Sequence, residues 1–548
     1  MKLCGSDTER FDHCTCCHVQ AAGIMPGIPT RSRRDPMPPA SALTLPELSA
    51  TELRRRIGSR ELSPVELLEA CLNRIELFNP YVNAITATCV ERARAEAKAA
   101  EAAVMRGEPL GLLHGLPLGV KDLEPTAGLL STMGTPSLRN HVPTHDVELV
   151  ARLRRAGAIV VGKTNVPEMG AGANSRNPVW GATGNPFNPN LNAGGSSGGS
   201  AAALALDLLP ICTGSDTGGS LRIPAAKCGV VGFRPSPGVV PSVRKVLGGS
   251  SISVVGPMGR TVDDTCLQLA ATAGLHPGDP LSYPLDANAF LELPRIDLSR
   301  LRVAWTEDFG ACDVDPSIRR ALRGKIAVMR SWFAACDEFS FDLGDVHRCF
   351  DVLRAEAFVA GMHAAYERDP ASLGVNPRKN YEMGARMSLL DSAWAQAEQT
   401  RIIQRFQQVF ADYDLVLSPT TPVSPFPWTQ SHATVIDGRQ QDNYYRWLAL
   451  TYITTLTTHP AISLPCGVDE QQMPFGLQVV GPFRGDLALL GASRALEHAF
   501  QSHAALRRPR PDTTRLAAAE PSLTSIITAA PDDPDAHEPN DQGTTSVV

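Results

Sequence analysis

Three short stretches of this sequence carry residues able to do chemistry. Gly115-Leu116-Pro117-Leu118-Gly119-Val120-Lys121-Asp122 ends an apolar run on a lysine. Gly194-Gly195-Ser196-Ser197-Gly198-Gly199-Ser200 contains nothing but glycine and serine. Gly214-Ser215-Asp216-Thr217-Gly218-Gly219-Ser220-Leu221-Arg222-Ile223-Pro224 sets two glycines directly before Ser220. Consecutive small residues let successive backbone N–H groups point into one concavity that can hold an anion. A serine closing such a nest is a nucleophile beside its own oxyanion hole. No histidine lies near either serine stretch in sequence, so a Ser–Lys pairing is at least as plausible here as Ser–His–Asp. The plain alternatives are a turn-forming role for Ser196 and a surface position for Lys121.

The glycines concentrate around these stretches. Residues 193–238 hold ten of the 45 glycines in 548 residues, so the backbone there either approaches something closely or takes positive φ. Two patterns nearby point elsewhere. Gly157-Ala158-Ile159-Val160-Val161-Gly162-Lys163-Thr164 matches the P-loop letter for letter. A P-loop follows a strand, whereas an amphipathic helix precedes Gly157, and Ala-Ile-Val-Val is strand material rather than a phosphate-cradling loop. Lys163 is then a lysine at a strand end. Gly195-Ser196-Ser197-Gly198-Gly199 matches a nucleophile elbow centred on Ser197. The elbow needs a strand just before it, and Asn185-Pro186-Phe187-Asn188-Pro189-Asn190-Leu191-Asn192 reads as turns.

Elements that would position these stretches are legible around them. Ser63-Pro64-Val65-Glu66 is a capping box with proline at the first helical position, and it predicts a helix over 64–78 stopped by Asn79-Pro80. An alanine-rich helix fits 90–106. Leu149, Val150 and Leu153 mark one face of a helix that Gly157 ends, and Ala158 to Val161 follow as a buried strand. Helix, glycine, apolar strand is α/β grammar. Further strands fit Leu301–Trp305, Leu415–Leu417 and Leu477–Val480, and 315–412 is mostly helical by pattern.

Composition bounds the function. The chain is 43% hydrophobic and 20% charged, an ordinary globular balance. Its net charge of −6 argues against a binder driven by phosphate contacts. No apolar run approaches the ~18–20 residues of a membrane span, and no signal-peptide core follows Met1, which predicts a cytoplasmic protein. The 13 cysteines are then expected reduced and mostly buried. His13, Cys14, Cys16, Cys17 and His18 are too crowded for one tetrahedral metal site, and residues 1–40 read as a disordered leader or an extension upstream of the true start. Six prolines in a polar, acidic background predict disorder over 509–548. The folded part is expected at 41–508.

The run from Gly194 to Pro235 resembles the signature of the amidase signature family of serine hydrolases. Lys121 lies in a segment similar to that family's lysine motif. Gly162-Lys163-Thr164-Asn165, Asn185-Pro186, Ser418-Pro419-Thr420-Thr421-Pro422, His459-Pro460-Ala461-Ile462-Ser463-Leu464-Pro465 and Gly476-Leu477-Gln478-Val479-Val480-Gly481 fit as well, so the resemblance covers roughly residues 42–503. It implies an α/β fold: a single large domain with a mixed, twisted β-sheet core and helices on both faces. It implies a triad with Ser220 as nucleophile, Ser196 as a bridging serine on a cis peptide and Lys121 as base. The amides of Thr217, Gly218, Gly219 and Ser220 would form the oxyanion hole, braced by Asp216 and Arg222. The expected reaction is hydrolysis of a carboxylic amide to acid plus ammonia or amine, with no metal or organic cofactor. The expected partner is a small-molecule amide, with no nucleic acid and no membrane, and a homodimer is an open assembly state.

Two rivals remain. The A subunit of the glutamyl-tRNA amidotransferase resembles these enzymes, but its tyrosine-rich recognition stretch is replaced here by Asn380-Tyr381-Glu382-Met383-Gly384-Ala385-Arg386-Met387-Ser388. A non-catalytic binding protein on the same scaffold would not need Lys121, Ser196 and Ser220 together. Phe358, Met362, Tyr381, Met383, Met387 and Trp394 are expected near the substrate, which suggests an aryl or alkyl acyl group; ordinary helix cores explain them equally well.

Overall fold

A computed structural model describes residues 45–528. Its centre is one mixed sheet of eleven strands. In chain order these are β1 (Ile85–Thr88), β2 (Pro117–Lys121), β3 (Ile159–Thr164), β4 (Ile211–Asp216), β5 (Val231–Arg234), β6 (Val254–Gly259), β7 (Arg302–Trp305), β8 (Ala335–Glu338), β9 (Leu415–Pro419), β10 (Ala461–Val468) and β11 (Pro474–Val480). Across the sheet the order is β1-β3-β2-β4-β6-β5-β10-β11-β9-β7-β8. Pairing is parallel among β3, β2 and β4, and again among β9, β7 and β8, with antiparallel strands joining the two groups. Helices flank the sheet, and β2, β3 and β6 are buried along their whole length, as strands covered on both faces must be. The α/β expectation therefore holds.

Local signals account for the elements. Ser63 accepts hydrogen bonds from the amides of Val65 at 3.0 Å and Glu66 at 3.4 Å, starting the helix Pro64–Val82. The Glu66 half of the expected box is not formed; the Ser63 hydroxyl donates to Glu101 at 2.5 Å instead. The helix also runs past Pro80 and closes at Asn83, which takes a left-handed φ of 47°. The alanine-rich helix spans Val90–Arg106, and Glu148–Arg155 precedes β3 as expected. Between 315 and 412 the helices Pro316–Met329, Val346–Arg368, Val375–Gly384 and Leu389–Gln407 are interrupted by β8, a strand that the pattern did not reveal.

The C-terminal expectation needs correction. Residues 509–528 do not leave the domain: Leu516 and Leu523 are buried, and Leu523 packs against Ala182 and Trp428. The Ala182 amide donates to the Leu523 carbonyl at 2.8 Å, and the Thr528 amide to the Pro178 carbonyl at 2.9 Å. Two well-placed leucines and edge hydrogen bonds outweigh the prolines. The expected leader, the His13–His18 cluster and the end of the tail lie outside the described residues. Among the described residues no helix is long and apolar enough to cross a membrane.

Candidate active site

The site forms where β2 and β4 run parallel, with Leu118 opposite Ile211 and Gly119 opposite Cys212. Lys121 is the last residue of β2 and is fully buried. Its backbone amide donates to Thr213 Oγ1 at 2.8 Å, which fixes it against β4. Its Nζ reaches Ser196 Oγ at 2.8 Å, Ser215 Oγ at 2.9 Å and the Ser215 carbonyl at 3.4 Å. Ser196 follows a cis peptide from Gly195, in the loop that enters the helix Gly198–Ala205. Apart from Leu204 that helix is built from glycine, serine and alanine, and every one of its residues is buried. At Gly199 a Cβ would sit 2.8 Å from the Asn165 carbonyl oxygen, so the close approach of helix and strand end requires glycine.

Ser220 lies in the short loop between β4 and the helix Arg222–Cys228 and is half-buried. Asp216, at the end of β4, organises this loop. Its carboxylate accepts from the Gly219 amide at 2.9 Å, the Leu221 amide at 3.2 Å, and Arg222 Nε and Nη2 at 3.0 and 2.9 Å. Arg234 approaches the same carboxylate at 3.2 Å and donates to the Asp216 carbonyl at 2.6 Å. Burial alone would raise the Asp216 carboxyl; the guanidiniums of Arg222 and Arg234 hold it well below the usual carboxylate range. Arg222 also donates to Gln478 Oε1 at 2.7 Å and Thr455 Oγ1 at 3.0 Å, and to Thr454 Oγ1. Gly219 has a φ of 117°, and a Cβ there would overlap the Thr451 side chain.

Of the four amides expected to line an oxyanion hole, that of Gly219 is turned back onto Asp216. Those of Thr217, Gly218 and Ser220 make no hydrogen bond among the described residues. Ser197 is fully buried and its hydroxyl has no partner among the described residues, so it is no exposed elbow nucleophile.

Burial pushes the Lys121 ammonium down to about 7, against the raising pull of Glu124 and Asp216. A lysine near neutrality can lose its proton and become able to accept one from a neighbouring hydroxyl. Ser196, Ser215, Thr217 and Ser220 line one cavity of about 280 Å³, with Leu123, Met169, Ile252, Phe358 and Met362 among its apolar walls. The expected substrate-side residues therefore divide. Phe358 and Met362 reach this cavity. Met383 lines a neighbouring one of about 610 Å³. Tyr381 stacks on Tyr366 at 4.1 Å, and Trp394 lies under the Arg348 guanidinium at 4.0 Å. Met387 packs half-buried against the core. Sequence reasoning missed Ser215, Arg234, Gln478 and Thr451; the pairing of β4 with β2, the run of β5, β10 and β11 through the sheet, and helix Ala449–Leu456 behind the loop bring them in.

The family profile named Amidase matches residues 66–490. The chain belongs to the amidase family. The glutamyl-tRNA(Gln) amidotransferase A subunit of Synechococcus elongatus is 31% identical over 487 residues, covering 84% of this chain and 99% of that protein. An acylamidase from Rhodococcus erythropolis is 33% identical over 458 residues, covering 82% of this chain and 95% of its own. Among solved structures, a bacterial aryl acylamidase of the amidase signature enzymes superposes with a TM-score of 0.78 at 28% identity, covering 86% of this chain and 99% of that one. This amidase is thus a hydrolase-type enzyme of carbon–nitrogen amide bonds, and the relatives span more than one use of that chemistry.

Proposed function

We propose that this amidase cleaves a small carboxylic amide through Ser220, Ser196 and Lys121. The observation that carries the reading is the fully buried Lys121 amine within 2.8 Å of Ser196 Oγ, behind the cavity wall that holds Ser220. A neutral lysine has two N–H bonds and one lone pair. Donating to the Ser215 carbonyl and hydroxyl uses both N–H bonds, which leaves the lone pair for the Ser196 proton. Ser196 can then take the proton of Ser220 as Ser220 Oγ bonds to the amide carbon. The developing oxyanion faces the amides of Thr217, Gly218 and Ser220, where loss of one donor typically costs about 2.7–4 kcal/mol. Collapse breaks the C–N bond, and the proton on Lys121 returns through Ser196 to the leaving nitrogen. Water then attacks the acyl-enzyme along the same relay and releases the acid. Asp216 and Arg222 hold the loop rather than react. No metal or organic cofactor enters any step.

The test is hydrolysis of an anilide panel by the purified chain, with acid and amine both quantified. A folded Ser220→Ala protein is expected to release neither; retained turnover would sink the assignment. The amidotransferase relative keeps one second reading open, that of a glutaminase component of a larger complex. Ammonia release from glutamine only with a co-purifying partner would favour it.

A further inference from the structure

Arg354 sits on the helix Val346–Arg368, is only 6% exposed and lines the cavity that holds Ser220. A buried guanidinium ordinarily has a carboxylate beside it. Arg354 has none within ion-pair distance among the described residues. Its Nε donates to Asn380 Oδ1 at 3.1 Å and its Nη2 to Tyr444 Oη at 2.7 Å, both neutral acceptors. The rings of Phe358, Tyr445 and Tyr444 surround it at 4.9, 5.0 and 5.7 Å, and Nη1 makes no hydrogen bond among the described residues. The rest of the cavity wall agrees in sign: it includes Lys245 and no aspartate or glutamate. Lys245 already has a partner, Asp279 at 3.5 Å, so Arg354 is the cation there that is short of an anion.

We infer that Arg354 binds a carboxylate carried by the substrate, so that the preferred amides are monoanions with an aryl or alkyl body. This rests on the Ser220 reading for the position of the scissile bond. The body would lie on Phe358 and Met362, and the carboxylate would take the free N–H groups of Nη1 in a charge-assisted bond. The Asn380 and Tyr444 bonds fix the guanidinium plane in advance, which favours one geometry of approach. The acyl part and the amine part are both able to carry the charge, and the test separates them.

The test is calorimetric binding to full-length Ser220→Ala protein, in which turnover is off. The ligands are neutral pentananilide, 5-anilino-5-oxopentanoate with its charge on the acyl side, and 4-pentanamidobenzoate with its charge on the amine side. One anionic amide is expected to bind at least about tenfold more tightly than pentananilide. Adding Arg354→Gln should remove that preference by weakening the anionic amide at least about tenfold more than pentananilide. Tyr444→Phe, which loses one brace and keeps the charge, should retain most of it. Equal binding of all three ligands, or a preference that survives Arg354→Gln, overturns the inference. If Arg354→Gln does not fold, Arg354→Lys replaces it and should shrink the preference; an undiminished preference there also overturns the inference. Fluorophosphonate labelling of the native chain reports on the underlying reading separately. Labelling of Ser220 without anionic preference overturns the anion site alone, whereas preference without labelling overturns the serine mechanism alone.

Discussion

Lys121 is the last residue of β2 and Lys163 the next-to-last of the adjacent β3, and both are fully buried. Parallel pairing sets Lys121 opposite Thr164 and Val120 opposite Lys163, so the two amines leave neighbouring strands one residue out of step. Burial lowers both, Lys121 to about 7 and Lys163 to about 8. What differs is the far side of each amine. Lys163 donates to the Glu124 carbonyl and to Thr126 Oγ1 at 3.0 Å, and Asp122 and Glu124 pull its proton affinity up. It ties the segment after β2 to β3, and no hydroxyl of the cavity is among its partners. Lys121 faces two serines that line the cavity. A depressed lysine is therefore not by itself a base; it needs a hydroxyl relay on its open side.

Substitutions should separate the two sites in order of effect. Ser220→Ala is expected to lower kcat by about 10⁴-fold or more, measured on a protein with an unchanged melting curve. Lys121→Met should cost about 10³-fold or more in kcat/KM for a neutral anilide. The same change has a pH signature in stability. The native lysine loses its proton near 7 and the unfolded one near about 10.4, so the native chain binds fewer protons between those values. Stability then rises with pH across that window, and the burden of a buried ammonium is full below it. Lys121→Met should therefore gain stability relative to the parent at pH 6 and lose that gain by pH 10, by on the order of 2–4 kcal/mol in denaturant titrations. Ser215→Ala removes one of the amine's partners without touching the relay, and about a tenfold loss in kcat is expected. Lys163→Met should change kcat of the folded protein by less than about threefold. At pH 10, where the native Lys163 amine is neutral and the burden of a buried ammonium is nearly gone, it should lower stability by about 1–3 kcal/mol, because the Glu124 carbonyl and Thr126 lose their donor. A Lys163 variant as inactive as the Lys121 variant would erase the distinction.

The same pair shows what was legible in the sequence. Lys163 fits a P-loop pattern by letters alone, and its neighbours Val160 and Val161 were enough to assign it to a strand. The Gly-Ser stretches were legible because few backbones need so many residues without side chains. Ser215 was hidden because its role depends on β4 pairing with β2 in parallel, a contact between residues 94 positions apart. Arg234, Gln478 and Thr454 were hidden for the same reason, since Arg222 and Asp216 meet them only once distant strands and the helix Ala449–Leu456 are assembled. Tyr381 and Trp394 have the chemistry of a substrate wall, but helix packing turns them to other neighbours. The Pro-rich tail misled through composition: Leu516 and Leu523 were enough to hold residues 509–528 against the domain.

The most direct measurement is the pH dependence of fluorophosphonate labelling, with the adduct mapped by peptide mass. It should be run on the native chain, Lys121→Met and Lys163→Met. A single adduct on Ser220 is predicted, formed at a rate that rises about tenfold per pH unit below 7 and then levels off. Lys163→Met should keep that profile, and Lys121→Met should lose nearly all labelling. An adduct on Ser197, or labelling of Ser220 that does not depend on Lys121, would contradict the account.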